Sequence, residues 1–203
     1  MIKHLFSPLR YPQYIKKIWW KVVVPLNLKR QGVTLSPTAR FQGAPIVSME
    51  PDSKIIINDR CALCSDSKST ALGVNHPVVL RTLRSGAIIQ IGADTGISGG
   101  TICSAVSIKI GVGCLFGANV TVVDTDFHSI KPENRRYNNN PDDIKCLPVV
   151  ICDNVFLGTG SIVMKGVTIG DNTIIAAGAV VSRSIPANSI AAGNPAVVIK
   201  TIH

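Results

Sequence analysis

Aromatic residues are scarce in this chain, only 5% of 203 residues, although apolar residues make up 46%. Its interior must be filled by aliphatic and small side chains, which suits a repetitive β architecture better than a helical bundle. Acidic residues are missing before Glu50, whereas eight lysines and arginines, from Lys3 to Arg40, fall in that stretch. The other thirteen cations nearly balance twelve acids, so the net charge of +9 belongs to an N-terminal appendage. A nucleic-acid reader would carry a basic stripe across its folded body, and this pattern excludes that class. Long hydrophobic runs are lacking too. The apolar stretch near residues 18–26 contains Lys21 and Pro25, and is too short and charged for a secretory signal or a bilayer span.

Six cysteines occur, but the single Cys61-Ala-Leu-Cys64 pair has no second CxxC to complete a zinc or redox site. They read as small buried hydrophobes of a cytoplasmic protein with free thiols, and no metal is expected. Histidine is rarer still, with only His4, His76, His128 and His203.

What the chain does have is a period of six. Ile151, Leu157, Val163, Ile169, Ile175 and Val181 recur at strict hexapeptide spacing, with Cys152, Gly158, Gly170, Ala176 and Ser182 just behind. A second series, Val155, Ser161, Val167, Thr173, Ala179 and Ile185, falls four residues after each start. The same register holds at Ile91, Ile97 and Cys103 and at Ile110, Phe116 and Val122, and more loosely at Leu35, Phe41 and Val47. Six residues fit neither a helix nor a flat sheet. They fit a short strand and a tight turn, three of which close one triangular coil of a stacked prism. The register breaks twice, at about residues 65–87 and 124–149, and long insertions in a compact repeat are usually functional.

These repeats, with "IGADTGISGGTI", "DTDFH" and "AAGNPAVVIK", resemble the hexapeptide-repeat acyltransferases. The likeness is greatest to the sugar O-acetyltransferases of polysaccharide and O-antigen assembly. The resemblance implies an all-β fold, a left-handed parallel β-helix over residues 33–203, while residues 1–32 before it read from their own pattern as a basic amphipathic helical segment. The handedness comes from the resemblance alone, since crossovers between parallel strands are normally right-handed.

It further implies acetyl-CoA as co-substrate, a sugar or saccharide acceptor, and a homotrimer with sites between subunits. Acetyl transfer from a thioester to a hydroxyl needs a base, donors for the oxyanion and a groove for the long co-substrate. His128, where the second insertion leaves the repeat, matches the family's catalytic base, and imidazole suits that task at neutral pH. Asp124 and Asp126 would either orient it or form the turn. Phe156, Gly158, Thr159, Ala177 and Gly178 match positions along the thioester and pantetheine. Ser182, Arg183 and Lys200 match positions near the nucleotide phosphates. In the first insertion Asn75 and His76 are acceptor-binding candidates, with Arg135 and Arg136 (and Lys131) in the second. Where galactoside acetyltransferases carry an acceptor-gripping asparagine, this chain has Gly99.

Transfer to the nitrogen of an amino sugar or nucleotide sugar would use the same groove and base. A zinc-dependent carbonic anhydrase of this fold needs three histidines, and only His76 and His128 lie within the body. A scaffold without catalysis is the remaining alternative. In "QYIKKIWWKVVVPL", Ile15, Ile18, Trp19, Val22 and Leu26 recur near helical spacing among lysines, with Pro25 limiting the run. Such a helix would cap the open end of the prism, lie peripherally on an anionic membrane at the cytoplasmic face, or do both.

Overall fold

A computed structural model describes residues 11–138 and 140–202; the first ten residues of the basic appendage, with Lys3, His4 and Arg10, and the terminal His203 lie outside them. The hexapeptide period builds a left-handed parallel β-helix. Its first face stacks Thr34–Leu35, Lys54–Ile57, Ile88–Ile91, Ser107–Ile110, Val149–Ile151 and Thr168–Ile169. The second stacks Arg40–Gln42, Ala62–Cys64, Gly96–Ser98, Leu115–Phe116, Phe156–Leu157 and Ile174–Ile175, and continues into the final antiparallel hairpin, Ser189–Gly193 with Ala196–Thr201. The third stacks Ile46–Ser48, Val79–Thr82, Thr101–Ser104, Thr121–Val123, Ile162–Val163 and Val180–Val181.

In-register stacking explains why the period had to be strict. Ile57, Ile91, Ile110, Ile151 and Ile169 are Cα partners from coil to coil on the first face, and all five are buried. Both hexapeptide series point inward, since Val155, Ser161, Val167, Thr173 and Ala179 are as buried as the large aliphatics. Each fully buried Ile or Leu is worth about 2 kcal/mol relative to an exposed one, so these columns are the fold's main driving force. The six cysteines are free thiols. Burial pushes the Cys61 thiol up, and its Sγ donates to the Gly92 carbonyl at 3.1 Å, so the CxxC pair serves the core.

The sequence expectation needs three corrections. The helix, α1, runs from Tyr11 to Arg30 and passes through Pro25 rather than ending there. Losing one amide donor is tolerated because Val24 and Leu28 are anchored in the core on either side. The buried face is also not the one expected. Trp20, Val24 and Leu28, at a spacing of four, seal the N-terminal end of the prism together with Val33 and Phe41. Ile15, Ile18, Trp19, Val22 and Leu26 instead face outward, each between 42% and 56% exposed. The helix is therefore apolar on two sides. Finally, the first insertion is shorter than its sequence limits, because Val79–Thr82 pairs with both neighbouring coils and only residues 65–78 leave the wall.

A half-exposed ion pair ties α1 to that insertion. Lys16 Nζ lies 3.0 Å from Asp66 Oδ1 and 4.8 Å from the Trp20 ring centroid. The Lys16 ammonium holds the Asp66 carboxyl below its ordinary range. A lowered folded pKa stabilises only above the unfolded value and is lost as pH falls through the folded one. D66A should therefore cost less than about 1 kcal/mol at neutral pH, a difference that shrinks below about pH 4 in thermal denaturation across pH.

Candidate active site

The second insertion leaves the third face after Thr121–Val123 and returns to the first face at Val149. Its base is fastened to the coils below and above. Asp124, wholly buried, accepts from Ser104 Oγ at 2.7 Å and from the backbone amides of Ala105, Val106 and Ser107 at 2.6, 2.9 and 2.8 Å. One carboxyl thus binds four donors of the preceding coil's corner. Above, Asp126 pairs with Lys165, and Gly166 N–H donates to Leu147 O at 3.1 Å. The two loop ends are closed by the Leu147 amide donating to the Asp124 carbonyl at 2.9 Å and by an antiparallel bridge between Thr125 and Cys146.

From this fixed base, Phe127 takes a left-handed backbone conformation with φ +61°, and the next residue, His128, is exposed. A bulky residue in that region costs about 1–2 kcal/mol and persists only where its surroundings impose it. Among the described residues, neither Asp124 nor Asp126 hydrogen-bonds the imidazole. The orienting expectation is corrected accordingly: Asp124 is spent on the coil beneath, Asp126 on Lys165, and His128 is held through its own N–H, which donates to Asp126 O at 2.7 Å.

The co-substrate positions gather on one face. Thr159 and Ala177–Gly178 form stacked corners where the second face turns into the third, with Gly178 N–H donating to Thr159 O at 2.8 Å. The backbone amides of Thr159 and Ala177 donate to no other protein group among the described residues. Gly158 lies buried beneath them, and a Cβ on it would sit 2.4 Å from Ala177 N. At Gly178, φ +69°, an added Cβ would meet nothing within 4 Å. The two glycines should therefore differ on substitution. G178A should cost about 1–2 kcal/mol through its backbone alone, whereas G158A should cost about 3 kcal/mol by prying the corners apart, as measured by denaturant unfolding. Phe156, 42% exposed, stacks between Leu115 and Ile174 on the second face. Ser182 and Arg183 are exposed at the far end of Val180–Val181, across the third face, and Lys200 is exposed on the last strand, paired with Ile190.

The first insertion folds over the same edge of the prism, at the third and fourth coils. Gly99 is buried beneath it: a Cβ there would lie 2.5 Å from Val74 Cβ and 2.9 Å from His76 O. An asparagine at Gly99 has no room, and the insertion brings Asn75 and His76 over it instead. The Asn75 amide donates to Asn119 Oδ1 at 2.8 Å. His76 Nδ1 lies 2.7 Å from Pro77 O, which can only accept, so in the neutral ring the proton sits on Nδ1 and Nε2 faces Thr101 Oγ1 at 3.5 Å. The second loop's cations are mostly engaged within it. Lys131 pairs with Asp143, Arg135 donates to the carbonyls of Ile130 and Lys131, and the Arg136 guanidinium lies 5.7 Å from the Tyr137 ring centroid. Sequence reading missed Lys165 and Asn119, which anchor the two insertions. Both sit at ordinary repeat corners, and only stacking shows what they touch. Among the described residues, no group of three metal-binding side chains gathers.

Residues 148–183 match the family described as bacterial transferase hexapeptide (six repeats). The chain is 38% identical over 107 residues to the galactoside O-acetyltransferase of Lactococcus lactis, covering 51% of this chain and 47% of that protein. It is 37% identical over 103 residues to the Escherichia coli enzyme of that name, covering 51% and 48%. It thus spans about half the length of the curated relatives it matches. A hexapeptide-repeat acetyltransferase of Vibrio cholerae, solved with acetyl coenzyme A, shares 29% identity at a TM-score of 0.51, covering 56% of this chain and 60% of that one. A galactoside acetyltransferase solved with coenzyme A aligns over 98% of this chain and 86% of its own, at TM-score 0.52 and 21% identity, a likeness of fold.

Proposed function

On the premise that this chain is a hexapeptide-repeat left-handed β-helix, with the repeat of the bacterial transferases, we propose that it moves an acetyl group from acetyl-CoA to a sugar hydroxyl. The carrying observation is the third face of the terminal coils. One border holds the free amides of Thr159 and Ala177 with Asn75 and His76 nearby, and the other holds exposed His128 on its fastened loop. The relatives' names supply the donor and the acceptor class.

In this reading the thioester lies along the Thr159 and Ala177–Gly178 corners, with Phe156 beside it and Ser182, Arg183 and Lys200 toward the nucleotide phosphates. His128 takes the acceptor hydroxyl's proton as that oxygen attacks the thioester carbonyl. The tetrahedral oxyanion is met by backbone N–H groups. Collapse breaks the C–S bond, and the imidazolium returns the proton to the departing sulfur, leaving an acetyl ester and free coenzyme A.

Within one chain the two borders are separated by a strand of two or three residues, roughly 10 Å, beyond the reach of direct proton transfer. This supports a homotrimer in which His128 of one copy serves the amide corner of the next. The outward apolar column of Leu115, Phe156 and Ile174 gives a neighbour something to cover. Asn75 and His76 would grip the acceptor, a polysaccharide or lipid-linked precursor, and Arg135 and Arg136 would meet it from the loop. No described helix is long and apolar enough to cross a membrane. We place the chain in the cytoplasm, resting peripherally on anionic membrane through the outward stripe of α1.

Titration calorimetry with acetyl-CoA tests the premise of the chemistry. Saturable micromolar binding, about −8 kcal/mol, is expected, and its absence in folded protein overturns the reading. A screen of hydroxyl against amino acceptors then fixes the accepting atom.

A further inference from the structure

A groove of about 860 Å³ runs between α1 and the first coil. Its helical wall carries Lys17, Lys21 and Lys29 on one stripe, spaced by multiples of four, and Arg40 faces them from the coil. Among the described residues, none of the four is in an ion pair, unlike Lys16, which is bound to Asp66. No acidic residue lines the groove. The carboxyl that touches its coil wall, Asp59, is occupied by the hydroxyls of Ser36 and Thr38. The floor is apolar, with Trp20 and Phe41 buried. At the rim, Val22 and Leu26 line the groove and also belong to the exposed stripe of α1. The cavity therefore opens toward the surface that would rest on a membrane.

We propose that this groove binds an anionic phospholipid, its phosphate among Lys17, Lys21, Lys29 and Arg40 and its first acyl carbons against Trp20 and Phe41. Four exposed cations without an acidic partner around an apolar floor complement a ligand that is anionic at one end and apolar at the other, and an inorganic ion alone would leave the aromatic floor unused. The inference deepens the membrane contact proposed above and is independent of acetyl transfer.

The chain has two tryptophans, Trp19 and Trp20, so W19F leaves a single reporter on the groove floor. Water-soluble short-chain phosphatidylglycerol with brominated acyl chains should quench Trp20 saturably, and brominated phosphatidylcholine should not. Each lysine or arginine near a lipid phosphate is worth about fivefold in affinity. K17Q/K21Q/K29Q/R40Q in the W19F chain should thus weaken quenching by at least a hundredfold, with an unchanged melting curve. Equal quenching by both lipids, indifference to the four substitutions, or equal competition by inorganic phosphate would each overturn the proposal. So would a lipid-independent dimer in sedimentation that hides Trp20, since a second copy would then fill the groove. Sedimentation with phosphatidylglycerol vesicles separates the two readings. Vesicle binding without Trp20 quenching removes the groove and leaves the membrane contact, whereas quenching without vesicle binding supports the groove and removes that contact.

Discussion

H128A should lower acetyl transfer by about 10²- to 10⁴-fold while acetyl-CoA binding and the melting temperature stay near wild type. The side chain is exposed and makes no hydrogen bond among the described residues, so its removal leaves no cavity and no orphaned partner. The expected loss falls on kcat, because a proton acceptor acts in the transition state and contributes little to holding either substrate. A mixing experiment sharpens the point. If the base is supplied across a subunit boundary, H128A combined with a chain whose Thr159–Gly178 corner is disabled should recover activity in mixed oligomers. Recovery must come from sites that draw the histidine and the corner from different copies. Full activity of H128A alone would remove the proposed mechanism, and the partly buried imidazole of His76 would be the next base to test.

The second large effect concerns Asp124, whose replacement should act through stability first. D124A strands three backbone amides, that of Ala105 buried and those of Val106 and Ser107 partly so, and leaves the buried Ser104 hydroxyl only the Ile88 carbonyl at 3.2 Å. Unpaired buried donors cost about 1–3 kcal/mol each, with partial relaxation among neighbours, so a total of about 4 kcal/mol is expected in denaturant unfolding. D124N is the informative variant. It keeps the shape and one carbonyl acceptor but turns an amide nitrogen toward groups that are themselves donors, so it should recover less than half of the loss. Because Asp124 also ends the strand that launches the His128 loop, D124N should lower kcat more than it changes acetyl-CoA affinity. A uniform drop in both, tracking the folded fraction, would mean that the residue only stabilises.

Most of the fold was legible in the sequence because a β-helix writes its geometry as a period. Ile151, Ile169 and their partners fall one above another, and the spacing alone identifies them as a wall of the core. The ends were less legible. The helix's buried face, Trp20, Val24 and Leu28, lies among other apolar residues on the same helix, so an apolar count over the segment cannot say which side meets the prism. Pro25 read as a stop because the local rule is sound, and it was overridden by tertiary anchoring. At the site, His128 stood out because it follows a broken register. Asp124 and Asp126, two residues apart in one turn, looked equivalent, yet one is locked to the coil below and the other to Lys165 above. That division is a property of stacking between chain segments far apart in sequence, and no local pattern carries it.

The capping helix has a consequence for how many molecules can join. The prism's first coil ends in three strand edges of parallel sheets, and at the other end two such edges remain beside the antiparallel hairpin, so that end of one copy could stack on the uncapped first coil of another. A head-to-tail contact of that kind does not close on itself and would extend into a filament. Trp20, Val24 and Leu28 occupy the place where such a copy would dock, and the helix thereby blocks head-to-tail stacking at that end.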